Sequence, residues 1–221
     1  MPAAVPARAS AIARVAWWAM TVSSLAVALV SVRFLLQGPE ALYPEATRVG
    51  APTAGIASHF HQVLEERWLR FAAHFVFAPI ALIVGPFQML ASLRARWRRV
   101  HRGLGWVYAV SVGIAGVAGL ILAGDAFGGL ATTMGFGLLA VLWLSSTALA
   151  VWHAWNRRFA VHRRWMVRSF ALTFAAVTLR LYIPLLAATG APFEQVYQTV
   201  AWLSWVPNLV VAEALLARLR A

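Results

Sequence analysis

The chain has 221 residues, of which 62% are hydrophobic and 12% charged, against roughly half apolar and a quarter charged in soluble domains. That composition excludes a water-soluble globular domain, and the net charge of +12 does not indicate nucleic acid, because the basic residues sit in short breaks between apolar blocks rather than on one face. The chain has no cysteine, which excludes disulfides, thiolate catalysis, iron–sulfur clusters and thiolate metal sites.

The apolar blocks are roughly 18 to 25 residues long, enough at about 1.5 Å per residue to cross about 30 Å of hydrocarbon. They predict an all-α, polytopic membrane bundle of about six transmembrane helices. A tail, residues 1–14, precedes the first span at 15–36, which is longer than a signal-peptide core, lacks a small-residue cleavage site and so reads as retained. The connection 37–67 is the long one. Gly38, Pro39, Pro44, Gly50, Pro52 and Gly55 make it irregular, with a short helix expected from Ser58. Further spans are predicted at 68–93, 103–123, 127–152, 165–189 and 197–217, giving a five-helix unit over 68–217 before the terminal residues 218–221.

All 19 basic residues are arginine. Most fall in four groups: Arg8 and Arg14; Arg94, Arg96, Arg98, Arg99 and Arg102; Arg157, Arg158, Arg163, Arg164 and Arg168; and Arg218 and Arg220. The positive-inside rule puts these groups, and both termini, on the cytoplasmic side of a bacterial inner membrane. Glu40, Glu45, Glu65, Glu66, Asp125 and Glu194 fall in the alternate connections. Trp17, Trp18, Trp68, Trp97, Trp106, Trp152, Trp155 and Trp165 bunch near the predicted boundaries, where an amphipathic indole prefers the interface. Gly113, Gly116 and Gly119 in the third span, and Gly128, Gly129, Gly135 and Gly137 around the start of the fourth, predict close helix approach. Pro79, Pro86, Pro184 and Pro207 each remove a backbone donor and predict kinks in the second, fifth and sixth spans. No repeat marks an inverted duplication.

Polar side chains at membrane depth are functional candidates because hydrocarbon makes them costly. They are His74, Gln88, His101, His162, Arg180, Asn208 and Glu213, with His153 at a helix end and His59 and His61 in the long connection. His101 and His162 open the third and fifth spans, which run the same way. Two imidazoles at one depth could ligate one haem iron axially, with Arg102, Arg163 and Arg164 meeting the propionates; anchoring of helix ends at the headgroup level is the plainer role. Gln88 reaches the same depth. His74 lies about 18 residues, or roughly 27 Å, from that end of its helix, so it cannot share the iron. It reads as a buried hydrogen-bonded or proton-handling residue in an outer cluster with Arg180, which could equally snorkel to the interface. A second iron would have to draw on Met134, His59 or His61, and the latter two point to different sides of a helix, a weak metal pair. His162 and Arg180 are five helical turns apart, on one stripe. Glu213 is placed to pair with a nearby arginine.

His74, Gly85-Pro86-Phe87-Gln88, His101-Arg102 with Gly105 and Tyr108, Gly135-Phe136, Trp143, His162-Arg163-Arg164-Trp165-Met166 and Thr178-Leu179-Arg180 together resemble the bacterial predicted-membrane-protein family called domain of unknown function 2306. The likeness covers residues 70–186, and it implies a multi-spanning helical protein with no established activity. More distantly, His101-Arg102-Gly103-Leu104-Gly105 looks like the b-type transmembrane cytochromes and ferric-reductase-like domains, which pair histidines between bundle helices. The leading functional expectation is a haem b-binding, redox-linked membrane protein with electron transfer as its role. The alternative is a permease, scaffold or assembly factor with no prosthetic group. A hydrolase or transferase lacks an HExxH motif or a deep carboxylate pair. The partner implied is the lipid bilayer, not nucleic acid, with a homo-oligomer or another membrane protein left open.

Overall fold

Among the residues described by the computed structural model, namely 11–37, 59, 62, 63 and 65–218, every regular element is an α-helix. His61, Arg8, Arg220 and most of the 37–67 connection lie outside the described residues, and of the short helix expected from Ser58 the described residues 59, 62, 63, 65 and 66 are helical. The helices are α1 (Ala11–Gln37), α2 (Trp68–Gln88), α3 (Ala91–Arg96), α4 (Arg98–Ala123), α5 (Leu130–Trp155), α6 (Phe159–Thr173), α7 (Ala175–Ala187), α8 (Phe193–Leu203) and α9 (Val206–Arg218). Among the described residues, 6 stretches are long and apolar enough to cross a membrane: Ala13–Val32, Trp68–Gln88, Arg98–Ala123, Leu130–Trp155, Phe159–Ala187 and Phe193–Arg218. Only 28% to 39% of each is buried within the protein. The outward surface carries Leu29, Val110, Leu130 and Leu185, a face that requires lipid as its solvent.

Local chemistry explains where the boundaries depart from the sequence pattern. The second span was expected to reach residue 93, but α2 stops at Gln88. Near that end the Pro86 carbonyl accepts the Met89 N–H (3.2 Å) and the Trp17 indole N–H (2.9 Å), a tight turn that also pins α1 to α2. The third and fifth spans begin earlier than expected, at Arg98 and Phe159, so His101 and His162 sit inside first turns. The fifth span breaks at Phe174, between α6 and α7, while α7 continues through Pro184 to Ala187. At the break Thr173 Oγ1 donates to the Ser169 carbonyl (2.9 Å), a hydroxyl bond of the kind that bends helices, while Thr178 Oγ1 turns to the Ser204 carbonyl. The sixth span breaks at Ser204 and Trp205, just ahead of Pro207, as its missing N–H predicts.

α2 lies along α4, α5 packs between α4 and α6, α1 rests on α2 and α7, α8 contacts α5 and α7, and α9 covers α6. Small residues permit the closest approaches. A Cβ on Gly85 would fall 2.1 Å from Phe170 Cε2, and one on Gly135 would fall 2.9 Å from Ala201 Cβ. The expected glycine stripe on α4 is used only in part: Gly116 faces Leu144 and Gly119 faces His74, whereas Gly113 has nothing against it. At the α7–α9 crossing Asn208 Nδ2 donates to Thr178 Oγ1 (3.1 Å) and the Ser204 carbonyl (2.9 Å), and Thr178 Oγ1 also meets that carbonyl.

The helix order brings the arginines of α3, the starts of α4 and α6, and the end of α9 to one end of the bundle, with Asp125 and Glu194 at the other. Because the chain has no cysteine, its orientation is directly testable. A single cysteine replacing Arg96 is expected to react with an impermeant maleimide only after permeabilisation, and one replacing Glu194 in intact cells. The reverse labelling pattern would invert the topology.

Candidate functional site

The centre of the bundle is polar and closed. The Tyr108 hydroxyl, on a residue with 0% exposure, lies 2.8 Å from Ser169 Oγ and 2.7 Å from Thr173 Oγ1. The Trp143 indole N–H donates to Thr173 Oγ1 (2.8 Å), and Thr147 Oγ1 lies 2.7 Å from Ser169 Oγ while reaching the Trp143 carbonyl (2.8 Å). Three helices, α4, α5 and α6, are joined through side chains alone. Hydropathy reading missed Ser169, Thr173 and Thr147 because a hydroxyl costs a membrane helix little by itself and does not break an apolar span, whether it stands alone like Thr173 or in a run like Ser145-Ser146-Thr147. Their signal was the four-residue spacing of Ser169 and Thr173, which puts both on one helix face.

On the acid-bearing side of this network lies a cavity of about 530 Å³. Trp143 and Thr173 form part of its floor, and Phe71, Phe75, Phe136 and Tyr197 give it aromatic walls. His74 and Arg180 both line it, the pairing expected from their depth. His74 Nδ1 lies 2.9 Å from the Ala115 carbonyl. A carbonyl only accepts, so this nitrogen carries the proton and Nε2 is left as an acceptor in the neutral ring. Gly119 makes the approach possible, since a Cβ there would fall 2.9 Å from His74 Nδ1. Arg180 does not snorkel outward. Its Nη1 donates to the Ala176 carbonyl (3.0 Å) and its Nη2 to Ser31 Oγ of α1 (3.1 Å). The helix break at Phe174 interrupts the expected stripe from His162 to Arg180, so the two belong to separate sites.

At the rim, Asp125 pairs with Arg67 (3.5 Å), and His59 Nε2 donates to the Asp125 carbonyl (2.8 Å). Met134 is 48% exposed on the lipid side of α5, which removes it as a partner for His74. Among the described residues no group of three or more His, Cys, Asp or Glu side chains is placed to hold a metal ion.

At the arginine-rich end, His101 lies within electrostatic reach of Arg94 and His162, and Arg94 within that of Arg163. Burial, and then the Arg163 charge, push the Arg94 pKa below its ordinary value. Arg94 Nη1 donates to the carbonyls of Gln88 (3.2 Å) and Met89 (2.8 Å) at the end of α2. Arg102 and Arg163 are exposed and Arg164 is half-buried. Glu213 pairs with Arg168, at 2.5 and 2.8 Å, as expected. For a haem, His162 is well prepared, because its Nδ1–H donates to the Ala150 carbonyl (2.8 Å) and leaves Nε2 to ligate. The space beyond it is not. Leu104 and Met166, about one turn inward of the two histidines, pack on the core, and Tyr108 bonds to Ser169 about two turns inward. Side chains therefore fill the slot that a macrocycle needs between α4 and α6, and the group does not fit this packing.

Residues 71–216 match the model of a family described as predicted membrane protein, DUF2306. No curated protein and no solved structure matches the chain.

Removing the hub hydroxyl by Tyr108→Phe leaves buried hydroxyls short of a partner and is expected to cost about 1–3 kcal/mol. A lowered midpoint of thermal unfolding in detergent checks this, with the exposed Arg102→Gln as the unaffected control.

Proposed function

We propose that this chain, which belongs to the DUF2306 family of predicted membrane proteins, is a membrane-embedded binding protein for a lipid-soluble molecule with an acidic, oxygen-bearing head. The observation that carries the reading is the cavity of about 530 Å³ that gathers His74 and Arg180 within a mostly apolar wall. Small-molecule sites have this character: a volume of about 300–1,000 Å³, apolar walls and a few polar groups that fix orientation. Of the polar residues on the lining, His74 and Arg180 define the head, while Asp125 is paired with Arg67 at the rim. In its neutral tautomer His74 offers an acceptor to an O–H group, and the Arg180 guanidinium favours negative charge on a neighbouring oxygen. A fatty acid or a quinol supplies both features, with a hydrocarbon body suited to the aromatic wall. Binding and release across the bilayer, as in a carrier or permease, needs no prosthetic group. The arginine distribution supports a bacterial cytoplasmic membrane as its location.

The haem-linked alternative has the prepared His162 in its favour and the filled slot between α4 and α6 against it. One preparation tests both readings. Binding of palmitate and of a short-chain ubiquinol to the detergent-solubilised protein is expected to weaken at least about tenfold, a loss of ~1.4 kcal/mol, in Arg180→Leu and His74→Phe. Failure of the wild-type protein to bind either probe would overturn the cavity reading. A dithionite-reduced minus oxidised spectrum is expected to show no b-type band; a band lost in His162→Ala would restore the haem.

A further inference from the structure

The cluster at the arginine-rich end carries an independent inference. It contains buried polar atoms that nothing among the described residues satisfies. Gln88 is only 8% exposed, yet its Nε2 has no hydrogen-bond partner among the described residues, and the same holds for His101 Nδ1 and Arg164 Nη2. The Gln88 amide faces α4 at Gly105, where a Cβ would lie 3.6 Å from Oε1, and Gly105 is one helical turn from His101 on the same face. Arg94 grips the Gln88 carbonyl and is electrostatically coupled to both His101 and Arg163. These side chains therefore converge on one locus from α2, α3, α4 and α6.

Among the described residues no counter-charge reaches it. Asp125 pairs with Arg67 at the far end and Glu213 with Arg168, and among the described residues no carboxylate meets Arg94, Arg163 or Arg164. Cations held together without an anion repel one another, and a buried N–H without an acceptor costs about as much as a lost hydrogen bond. An anion with several acceptor oxygens relieves both penalties. The Nδ1–H of His162 is already committed to the Ala150 carbonyl, so the acceptors are needed on the side of Gln88, His101 and the arginines.

We propose that this cluster is a phosphate-binding site, with Gln88, His101 and Arg94 contacting a phosphate group and Arg163 closing it from α6. A tetrahedral anion can accept from an amide, an imidazole and several guanidinium groups at once, which a single planar carboxylate does less well. The phosphate can come from a lipid headgroup, whose glycerol and chains would lie along the bundle surface, or from phosphate free in solution.

The experiment is thermal unfolding of the full chain in a phosphate-free maltoside detergent. It is titrated with inorganic phosphate, with dioctanoyl phosphatidic acid, and with dioctanoylglycerol and chloride as controls. Stabilisation of the wild-type protein by at least about 3 °C over the controls is expected, and it should be lost in Gln88→Leu and Arg163→Gln. A response to both phosphates identifies the phosphate group itself as the ligand. A response to phosphatidic acid alone identifies a lipid headgroup, and a response to inorganic phosphate alone identifies the free ion. Without ligand, Gln88→Leu should unfold no earlier than the wild type, because it removes an unsatisfied donor; a purely structural amide would give a lower midpoint. The exposed Arg163→Gln keeps the test valid if Gln88→Leu folds poorly. No stabilisation beyond the controls, or equal stabilisation of the wild type and Arg163→Gln, overturns the site.

Discussion

Hydrocarbon accepts no hydrogen bonds, and the arrangement of this bundle follows from that constraint. The hydroxyls of Tyr108, Ser169, Thr173 and Thr147 have only one another, the Trp143 indole and nearby carbonyls to bond with. Meeting that need fixes α4, α5 and α6 at one mutual depth and rotation. Apolar packing alone does this poorly in a membrane, where lipid tails are as apolar as leucine. The Asn208, Thr178 and Ser204 contacts do the same for α7 and α9. Gly85 and Gly135 then let the backbones close on Phe170 and Ala201.

The polar hub also separates two sites of different character. Trp143 and Thr173 belong both to the network and to the wall of the cavity, so the network is the floor on which a bound molecule would rest. Above it the polar groups are few and aimed inward: His74 is fixed by the Ala115 carbonyl, and Arg180 is held by Ser31 and the Ala176 carbonyl. Below it, at the arginine-rich end, positive charge is dense and donors are left over. A lipid-soluble ligand suits the first environment and a compact anion the second. The two are chemically independent, since the helix break at Phe174 and the closed centre lie between them.

α1 takes part in the upper site through Ser31, one of the few polar residues in its largely apolar sequence. Ser31 reaches Arg180, and Trp17 reaches the Pro86 carbonyl at the other end, so this helix is bonded to α2 and α7 at two depths. Losing it would open one side of the cavity and remove the Ser31 contact from the Arg180 guanidinium.

The sequence by itself determined the class of structure, because block length and arginine placement are one-dimensional quantities set directly by bilayer thickness and charge. It also singled out His74 with Arg180, and His101 with His162, since depth along a helix follows from residue number at a fixed rise. Rotation about each helix axis and the spacing between helices are not one-dimensional. Only the tertiary structure decided that Gly113 is idle while Gly119 seats His74, that the fifth span bends at Phe174 through a hydroxyl bond rather than at Pro184, and that Leu104 and Met166 fill the room beside the paired histidines. The Ser and Thr hub was hidden for the same reason. A hydroxyl on a membrane helix does not show which way it faces until the packing of three helices brings four of them within bonding distance.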